Sequence, residues 1–288
     1  MTARPQLSLV FPVFDEEPNL GPLFDRALAL APRLARDFEI VVVDDGSRDG
    51  SLAVIEARRR AEPRIRVVRH AANQGYGAAL RAGLREARGD LVFFSDADLQ
   101  FDLEELATLL AHTFEFDLVA GYREPRRDPF PRIALAATWG ALVRGLFGLR
   151  VRDIDCAFKV FHRRVLEAIP IASVGACVNT EILVRAEQAG FRIHQVAVSH
   201  RRRRAGRQTG AHPKVILRAL VELAGLYAEL RRPGSWPSLG AASLRGQALS
   251  TPLDFASLRG QGSLTPLDFA SLRGRLAAAL RATSREVS

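Results

Sequence analysis

The first half of the chain alternates short apolar runs with segments of helical periodicity. The apolar runs are almost uninterrupted, which is typical of strands buried on both faces of a sheet. Between them, apolar positions recur every three to four residues, as they do along one face of a helix. Strands that alternate with helices predict an α/β fold with a doubly wound, mostly parallel sheet. The predicted strands are LSLVF, FEIVVVDD, RIRVVRH, DLVFFSDAD and DLVAGYR, and the predicted helices cover residues 20–35, 51–62, 78–87 and 103–112.

The second half contains two longer apolar segments, residues 133–149 and 213–230, which predict C-terminal amphipathic helices. In the second segment, Arg218, Glu222 and Glu229 share one narrow stripe and leave a wide apolar face. Neither segment has the roughly 20 clean apolar residues of a spanning helix, but both suit the surface of an anionic membrane. Packing on the domain or in a homodimer is the alternative. The basic residues that border the segments are Arg132, Arg144, Arg150, Arg202, Arg204, Arg231 and Arg232.

The pattern divides the chain into three regions. Residues 1–212 form the predicted α/β domain, and residues 213–234 hold the last amphipathic helix. Residues 235–288 contain the units SLRGQALSTPLDFA, SLRGQGSLTPLDFA and SLRGRLAAALRATS, which align at a period of 14 residues. Solenoids need about three or more complete repeats of some 20 residues or longer, so this region predicts a poorly ordered tail.

The charge of the chain narrows the classes of partner, and its cysteine content indicates the compartment. The net charge of +9 and the pI of about 10.7 favour phosphates, anionic lipids or nucleic acid as partners. The two cysteines, Cys156 and Cys177, are too few for a disulfide framework and indicate a reduced, cytosolic protein. Residues 7–14 contain a proline and run into acids, so they predict a strand and loop rather than an export signal.

Acidic side chains follow three of the predicted strands. In doubly wound sheets, ligands bind beyond the carboxyl ends of the strands, so acids there predict a site that gathers oxygen ligands. A single Asp-x-Asp pattern is close to chance level, and the chain has a second one at Asp153 and Asp155. The repeated placement of acids at strand ends is therefore the stronger signal. The acids are Asp15 and Glu16, Asp44 and Asp45, and Asp96 and Asp98.

The stretch NQGYGAALRAGL places Gly75 and Gly77 before a predicted helix. Backbone N–H groups at the start of a helix can bind an anion, and a simple tight turn is the alternative. The stretch thus predicts either a phosphate contact or a structural turn.

Six motifs in sequence order resemble the family 2 glycosyltransferases of the GT-A fold. The nearest branch is that of the polyprenyl-phosphate glycosyltransferases, which includes dolichyl-phosphate mannosyltransferase. The resemblance covers roughly residues 5–212 and implies a GT-A catalytic domain over residues 1–212. The motifs are FPVFDEE, VVVDDGSRDGS, NQGYGAALRAGL, FFSDADLQFD, DIDCAFKVFHRR and HRRRRAGRQTG.

The resemblance implies a donor site at the strand ends. Mg²⁺ or Mn²⁺ would be held against the donor diphosphate by Asp96, Asp98 and Gln100, with Asp98 catalytic. Both ions are hard cations that take oxygen ligands and share them with substrate phosphates. The family usually has asparagine where this chain has Asp15. The residues implied to contact the nucleotide are Pro12, Val13, Asp15, Glu16, Asp44, Asp45 and Gly75.

The resemblance also implies an acceptor site. Asp153 would lie in the active site and orient the acceptor or the donor sugar, with Asp155 as a second candidate. Lys159 and Arg203 would lie near the phosphates, and Glu181 falls where relatives carry an acid. The guanidinium groups of arginines match phosphate oxygens, although a solvated loop is the alternative for Arg126 and Arg127. The arginines that follow the metal motif are Arg123, Arg126, Arg127 and Arg132.

These features predict an inverting, metal-dependent glycosyltransferase. It would move a hexose from a GDP-mannose or UDP-glucose type of donor to polyprenyl phosphate, dolichyl or undecaprenyl, at the cytoplasmic face of the membrane, to which it would attach peripherally. One alternative is transfer to a soluble or protein hydroxyl, which would need a general base. Another is a non-catalytic basic module that docks on membrane or nucleic acid. A binding module has no need of acids at three strand ends, so no nucleic-acid partner is expected.

Overall fold

The computed structural model describes residues 4–126, 128, 130–203, 205 and 213–232, with the backbone alone at residues 131, 132 and 213. The predicted tail at residues 235–288, Arg127, Arg204 and the side chain of Arg132 lie outside the described residues. All described residues belong to one compact unit, Met1–Thr251.

Within the described residues, one seven-stranded sheet forms the centre of the fold, with the order β3-β2-β1-β4-β6-β5-β7. Strands β1 to β4 run parallel to one another, and β6 runs antiparallel to both β4 and β5. The predicted fold class, α/β with a mostly parallel sheet, is confirmed. The strands are β1 (Leu7–Val13), β2 (Phe38–Asp44), β3 (Ile65–Arg69), β4 (Leu91–Ser95), β5 (Leu118–Arg123), β6 (Phe158–His162) and β7 (Ile193–Val198).

Among the described residues, seven α-helices and one 3₁₀ turn lie between the strands, and an eighth helix follows β7. The predicted helices of the first half are present, and α1 begins earlier than predicted, at Glu17, because Pro18 suits the first turn of a helix. The helices are α1 (Glu17–Leu34), α2 (Ser51–Ala61), α3 (Tyr76–Glu86), α4 (Leu106–Ala111) after the 3₁₀ turn Leu103–Glu105, α5 (Phe130–Phe147), α6 (Arg163–Ala168), α7 (Val178–Gln188) and α8 (Pro213–Leu230).

Burial follows the pattern that the sequence predicts. Every residue of β1, β2 and β4 is buried, as expected of strands covered on both faces. Phe93 of β4 sits in the middle of this core, with its ring centroid 6.5 Å from that of Phe11 and 4.8 Å from that of Phe158.

The antiparallel strand β6 determines what lies beside the acids after β4. Ser95, the last residue of β4, pairs with Phe158, the first residue of β6. The loop that enters β6 therefore begins next to the carboxyl end of β4. On the other side, Ala120 of β5 pairs with Lys159, so the end of β5 extends past β6 toward the same loop. This topology brings Asp153 and Arg123 together.

Helices α5 and α8 both present apolar side chains to solvent. Phe130 of α5 is 80% exposed, and Leu217 and Val221 of α8 are each 65% exposed. The opposite side of α8 is buried at Ala219, Leu223 and Leu226. The two helices meet where the rings of Phe147 and Tyr227 pack edge to face, with centroids 5.8 Å apart. Among the described residues, no helix combines the length and the apolar character needed to cross a membrane.

Candidate active site

The acids after β1, β2 and β4 lie along one edge of the sheet, because these parallel strands are neighbours. One side chain connects the acids of two neighbouring strands, β1 and β4. Arg203 forms an ion pair with Glu16, which follows β1, and its Nη1 lies 3.4 Å from Oδ2 of Asp98, which follows β4. The structure thus brings Glu16, Asp98 and Arg203 into one cluster.

The acids Asp15 and Asp44 fold the loop that follows β2. Oδ1 of Asp15 accepts a hydrogen bond from the N–H of Arg48 at 2.7 Å, and Oδ1 of Asp44 accepts one from Ser47 at 3.1 Å. Asp15 has a positive φ of 54°, a conformation that aspartate tolerates better than most residues. Both carboxylates have a structural role in this loop, and their contact with a nucleotide stays a prediction.

Asp45 holds the glycine-containing stretch before α3. Its carboxylate accepts hydrogen bonds from the N–H groups of Gln74 and Gly75, each at 2.9 Å, and lies 2.6 Å from Nδ1 of His70. In the first turn of α3, the N–H of Ala78 donates to the carbonyl of Val174 at 3.2 Å. The amides of Gln74, Gly75 and Ala78 are therefore bonded within the protein, and the contact of Gly75 with a nucleotide stays a prediction. The alternative, a structural turn, describes the stretch.

Glu16 is buried beside the start of α1. Its Oε2 accepts a hydrogen bond from Nδ2 of Asn19 at 2.6 Å, and its N–H donates to Oγ of Ser51 at 2.9 Å. Burial raises the pKa of Glu16, although Asn19 and Arg203 oppose the rise. An acid in this environment favours a cation nearby, which Arg203 provides.

Asp96 and Asp98 form the centre of the cluster. Leu99, with φ of 59°, makes the tight turn after them, and Oδ1 of Asp98 accepts a hydrogen bond from the N–H of Gln100 at 3.1 Å. Oδ1 of Asp96 is buried and has no hydrogen-bond partner among the described residues. Burial and the neighbouring carboxylate of Asp98 raise the pKa of Asp96 to about 7. Two crowded carboxylates of this kind suit a cation bound between them.

Gln100 anchors the segment that carries Arg203. Nε2 of Gln100 donates to the carbonyl of Arg201 at 2.9 Å, and the N–H of Arg201 donates to the carbonyl of Gln100 at 2.8 Å. Next to it, Phe101 and His200 form an isolated antiparallel bridge. These contacts explain how Arg203, which is far from Asp98 in the sequence, reaches Asp98 in the fold. Ligation of a metal by Gln100 stays a prediction.

A buried ion pair lies beside this cluster. Nε and Nη2 of Arg123 donate to the two carboxylate oxygens of Asp153 at 2.6 and 2.7 Å. Burial opposes the ionised form of Asp153, but the hydrogen bonds and charge of Arg123 outweigh it and hold the pKa of Asp153 below its usual range. Burial and the charge of Asp153 instead raise the pKa of Asp155. Asp153 is thus a fixed anion, whereas Asp155 is the better proton acceptor.

A cavity of about 260 Å³ opens next to this pair. One wall is a face of α5 with small side chains, and the other is the loop of residues 152–155. The guanidinium of Arg152 lies over the ring of Tyr122, 4.6 Å from its centroid. The charged side chains that line the cavity are Arg123, Arg126, Arg144, Arg152, Asp153 and Asp155. The surplus of arginines suits an anionic ligand.

Comparison with known families shows where this arrangement belongs. The family described as glycosyl transferase family 2 matches residues 8–170, a range that holds the acids at the strand ends and the Asp153 loop. The chain belongs to glycosyl transferase family 2. The predicted family is confirmed.

Curated relatives within this family carry names that refer to polyprenyl phosphates. An undecaprenyl-phosphate 4-deoxy-4-formamido-L-arabinose transferase from Shewanella sediminis is 38% identical over 166 residues, which are 57% of this chain and 50% of that protein. A dodecaprenyl-phosphate galacturonate synthase from Rhizobium johnstonii is 31% identical over 212 residues, which are 70% and 60% of the two chains. The chain therefore spans about half to three fifths of the length of these relatives.

Solved structures agree with the fold. Glucosyl-3-phosphoglycerate synthase from Mycobacterium tuberculosis in complex with UDP superposes with a TM-score of 0.61 at 24% identity, over 78% of this chain and 80% of that one. The same enzyme with Mn²⁺, UDP and glucosyl-3-phosphoglycerate has a TM-score of 0.56 at 23% identity, over 78% and 77%. The likeness confirms the GT-A fold of this family 2 glycosyltransferase.

Lys159 does not lie where the family resemblance implied. It is 0% exposed, and its ammonium group donates to the carbonyls of Ile154 and Cys156 and to Oδ1 of Asn179. With its three protons committed to protein oxygens, it cannot also bind a substrate phosphate. Lys159 instead holds the loop that carries Asp153 and Asp155 in this family 2 chain.

Glu181 is structural as well. Its carboxylate accepts hydrogen bonds from the N–H groups of Ala172 and Ser173 and pairs with Arg185, whose side chain is 1% exposed. Arg185 also donates to Glu229 of α8 at 3.0 Å. These contacts give Glu181 a structural role, which links α7 to the loop before it.

Tyr76 is a residue that the sequence did not single out. Its hydroxyl oxygen is buried, and burial together with the nearby charge of Asp96 raises its pKa well above the ordinary value. The only signal in the sequence was its position between Gly75 and Gly77. The glycines drew attention to the backbone, while the tyrosine between them reaches the acids of the site.

Proposed function

We propose that this chain is an inverting, divalent-metal-dependent glycosyltransferase that moves a hexose from a nucleoside diphosphate sugar to polyprenyl phosphate. The observation that carries the proposal is that two sites of opposite charge lie next to each other. The crowded carboxylates of Asp96 and Asp98 suit a cation, and the arginine-lined cavity beside Arg123 and Asp153 suits an anion. The names of the curated relatives support a lipid phosphate as that anion.

The donor side fits Mg²⁺ or Mn²⁺. Asp96 and Asp98 offer the hard oxygen ligands that these ions take, and Oδ1 of Asp96 lacks another partner among the described residues. No group of three or more acids, histidines or cysteines in the described part of the chain is arranged to hold a metal ion by itself. A shared site, completed by water and the donor diphosphate, is the usual pattern for magnesium. When bound, the ion neutralises charge on the departing diphosphate.

The neighbouring side chains would complete the donor site. The guanidinium of Arg203 lies against Glu16 and Asp98, next to the proposed metal ligands. From there it would turn toward the diphosphate. Asp44 and Asp45, which are 1% and 2% exposed, shape the nucleoside side through the loops they hold. Solved neighbours that contain UDP with either Mn²⁺ or Mg²⁺ support a divalent metal and a nucleotide as ligands of this chain.

A phosphate acceptor suits the arginines that line the other site. A lipid monophosphate carries a charge between −1.5 and −2 at pH 7, so it needs placement more than deprotonation. One of its oxygens would attack the anomeric carbon as the bond to the nucleoside diphosphate breaks, and the diphosphate leaves with the electron pair. Such a single displacement inverts the anomeric centre. Arg123, fixed by Asp153, and the arginines of the cavity would hold the phosphate.

Membrane contact is part of the proposal. A polyprenyl tail must stay in lipid while its phosphate reaches the site, so the protein must rest at the bilayer surface. The exposed apolar residues of α5 and α8 support a peripheral attachment, as do Arg231 and Arg232, which directly follow α8. We propose that this surface is the cytoplasmic face of the membrane.

Transfer to lipid tests the proposal directly. Full-length protein, Mn²⁺ and vesicles that contain undecaprenyl phosphate would be incubated with radiolabelled UDP-glucose, GDP-mannose and UDP-galacturonate in separate reactions. We expect one donor to yield a labelled, organic-soluble, acid-labile lipid product that disappears when the metal is chelated. A protein that releases nucleotide with a soluble hydroxyl acceptor but labels no lipid would contradict the acceptor assignment.

Asp155 separates the proposal from its rival, transfer to a hydroxyl acceptor. The raised pKa of Asp155, set by burial and by Asp153 against the charges of Arg123, Lys159 and Arg126, is what a general base needs. With a hydroxyl acceptor, Asp155→Asn should lower kcat by about 10²- to 10⁴-fold. It should also remove the fall in rate that accompanies protonation of Asp155 as the pH decreases through its raised pKa.

With a phosphate acceptor, we expect Asp155→Asn to retain kcat within about tenfold, because no proton needs to be removed. The acid limb of the pH–rate profile should then be the same in the variant and the wild type. Loss of that limb in the lipid-transfer assay would favour the hydroxyl mechanism.

A further inference from the structure

Two acids in the polar stripe of helix α8 bind partners in the rest of the protein. Oε1 of Glu222 accepts hydrogen bonds from the N–H groups of Gly175 at 2.9 Å and Val174 at 3.3 Å. About two helical turns further on, Glu229 forms an ion pair with the buried Arg185. The outward face carries Leu217 and Val221 instead. The inward face is also apolar at Ala219, Leu223 and Leu226, so Glu222, whose side chain is 14% exposed, lies beside a buried apolar surface.

Two carboxylates from different helices fix the loop of residues 172–175. Glu181 of α7 accepts the N–H groups of Ala172 and Ser173, and Glu222 of α8 accepts those of Val174 and Gly175. The loop has no helical or strand hydrogen-bond pattern of its own. Because each of its amides is bonded to a side chain, its position depends on where those two carboxylates lie.

The carbonyls of this loop press on the start of α3. Val174 O accepts the N–H of Ala78 at 3.2 Å. A Cβ atom placed on Gly75 would lie 2.6 Å from Val174 O, and one on Gly77 would lie 2.5 Å from Gly175 O. Such close approach leaves no free space, so a shift of the loop must shift the start of α3 as well.

The start of α3 in turn supports the donor site. The N–H groups of Gln74 and Gly75 bind the carboxylate of Asp45, and the buried hydroxyl of Tyr76 lies near Asp96. A continuous set of contacts therefore runs from Glu222 through the 172–175 loop to the acids on the nucleoside and metal sides.

We propose that Glu222 is a positioning residue of the donor site, which places Asp45 and Asp96 through the 172–175 loop and the start of α3. The inference rests on the proposed function, since it assigns Glu222 to nucleotide binding rather than to the attachment of α8 alone. Glu222 itself touches neither the acids nor the space between them. Its effect is on the affinity for the nucleotide, and the transfer step at saturating donor is left nearly unchanged.

Nucleotide binding by matched variants tests the role of Glu222. Binding of UDP and of GDP, each with Mn²⁺, would be measured by calorimetry on the full chain without lipid. Glu222→Asp keeps the charge but withdraws the carboxylate from Val174 and Gly175, and loss of these bonds should weaken binding about tenfold. Glu222→Gln keeps an acceptor oxygen at full reach and should bind within about threefold of the wild type. Melting temperatures would verify that each variant is folded.

Leu220→Ala is the control on the same helix, because Leu220 is 42% exposed and faces outward. We expect it to bind nucleotide like the wild type and to sediment less with anionic vesicles. Wild-type affinity in Glu222→Asp, or binding weakened as much in Glu222→Gln as in Glu222→Asp, would overturn the inference alone. A wild-type protein that binds neither nucleotide would overturn the proposed function, and the inference with it.

Discussion

Replacing Asp98 with alanine should abolish sugar transfer and leave the fold intact. Its carboxylate lies beside Asp96, whose pKa is raised to about 7 partly by the charge of Asp98. Removal of Asp98 relieves that repulsion, so we expect no loss of thermal stability. It also removes one of the two carboxylates that would hold the metal against the diphosphate, and we expect kcat to fall about 10³-fold or more.

Three measurements test this expectation for Asp98. Transfer to lipid would be followed by scintillation, Mn²⁺ binding by paramagnetic resonance, and unfolding by circular dichroism. Asp98→Asn, which keeps the side-chain shape, should be as inactive as Asp98→Ala, because charge rather than volume is needed. Glu104→Ala removes an acid from the same connection, 59% exposed and paired with Arg33, and should retain activity. An Asp98→Ala variant that binds Mn²⁺ and transfers sugar normally would refute the donor site.

The fold could be predicted because its elements are encoded locally. The apolar runs of β1, β2 and β4 are buried at every position, and periodicity alone identifies such strands. The position of the acids also followed from a general rule, since the carboxyl ends of parallel strands share one edge of the sheet. Glu16 and Asp98, joined by Arg203, lie there as expected.

The partners of individual side chains could not be predicted, because they depend on contacts between distant segments. Lys159 looked like a phosphate ligand, yet β6 lies between β4 and β5 and buries it. Gly75 looked open to an anion, yet Asp45 binds its amide from the end of another strand. In both cases the residue type was informative about charge or conformation, and only the tertiary structure determined what it contacts.

The surface of α8 shows the same limit. The stripe of Arg218, Glu222 and Glu229 was correctly identified as one polar face, but periodicity does not tell which face points inward. In the structure, Glu222 binds backbone amides of the 172–175 loop and Glu229 pairs with the buried Arg185, while Leu217 is exposed. Helical periodicity alone would have placed the acids in water.

The Arg123–Asp153 pair should give the largest loss of stability. The two side chains are 6% and 12% exposed and share hydrogen bonds of 2.6 and 2.7 Å. Asp153→Ala leaves the guanidinium buried without its bidentate partner, with Asp128 more distant at 3.6 Å. Removal of one partner of a buried ion pair costs about 3–5 kcal/mol, so we expect a decrease of that size in the free energy of unfolding, measured by urea denaturation.

Transfer should fall in the same variant, by about 10²-fold, because Arg123 would no longer be held against the acceptor phosphate. If Asp153 acts only through Arg123, the double variant Arg123→Ala/Asp153→Ala should transfer no more slowly than Arg123→Ala alone, and it should be more stable than Asp153→Ala. Asp117→Ala, which breaks an ion pair with Arg164 away from the site, serves as a control that loses stability but keeps kcat. A double variant far slower than Arg123→Ala would instead mean that Asp153 itself contacts the substrate, because its removal would then matter even when no guanidinium is left to position.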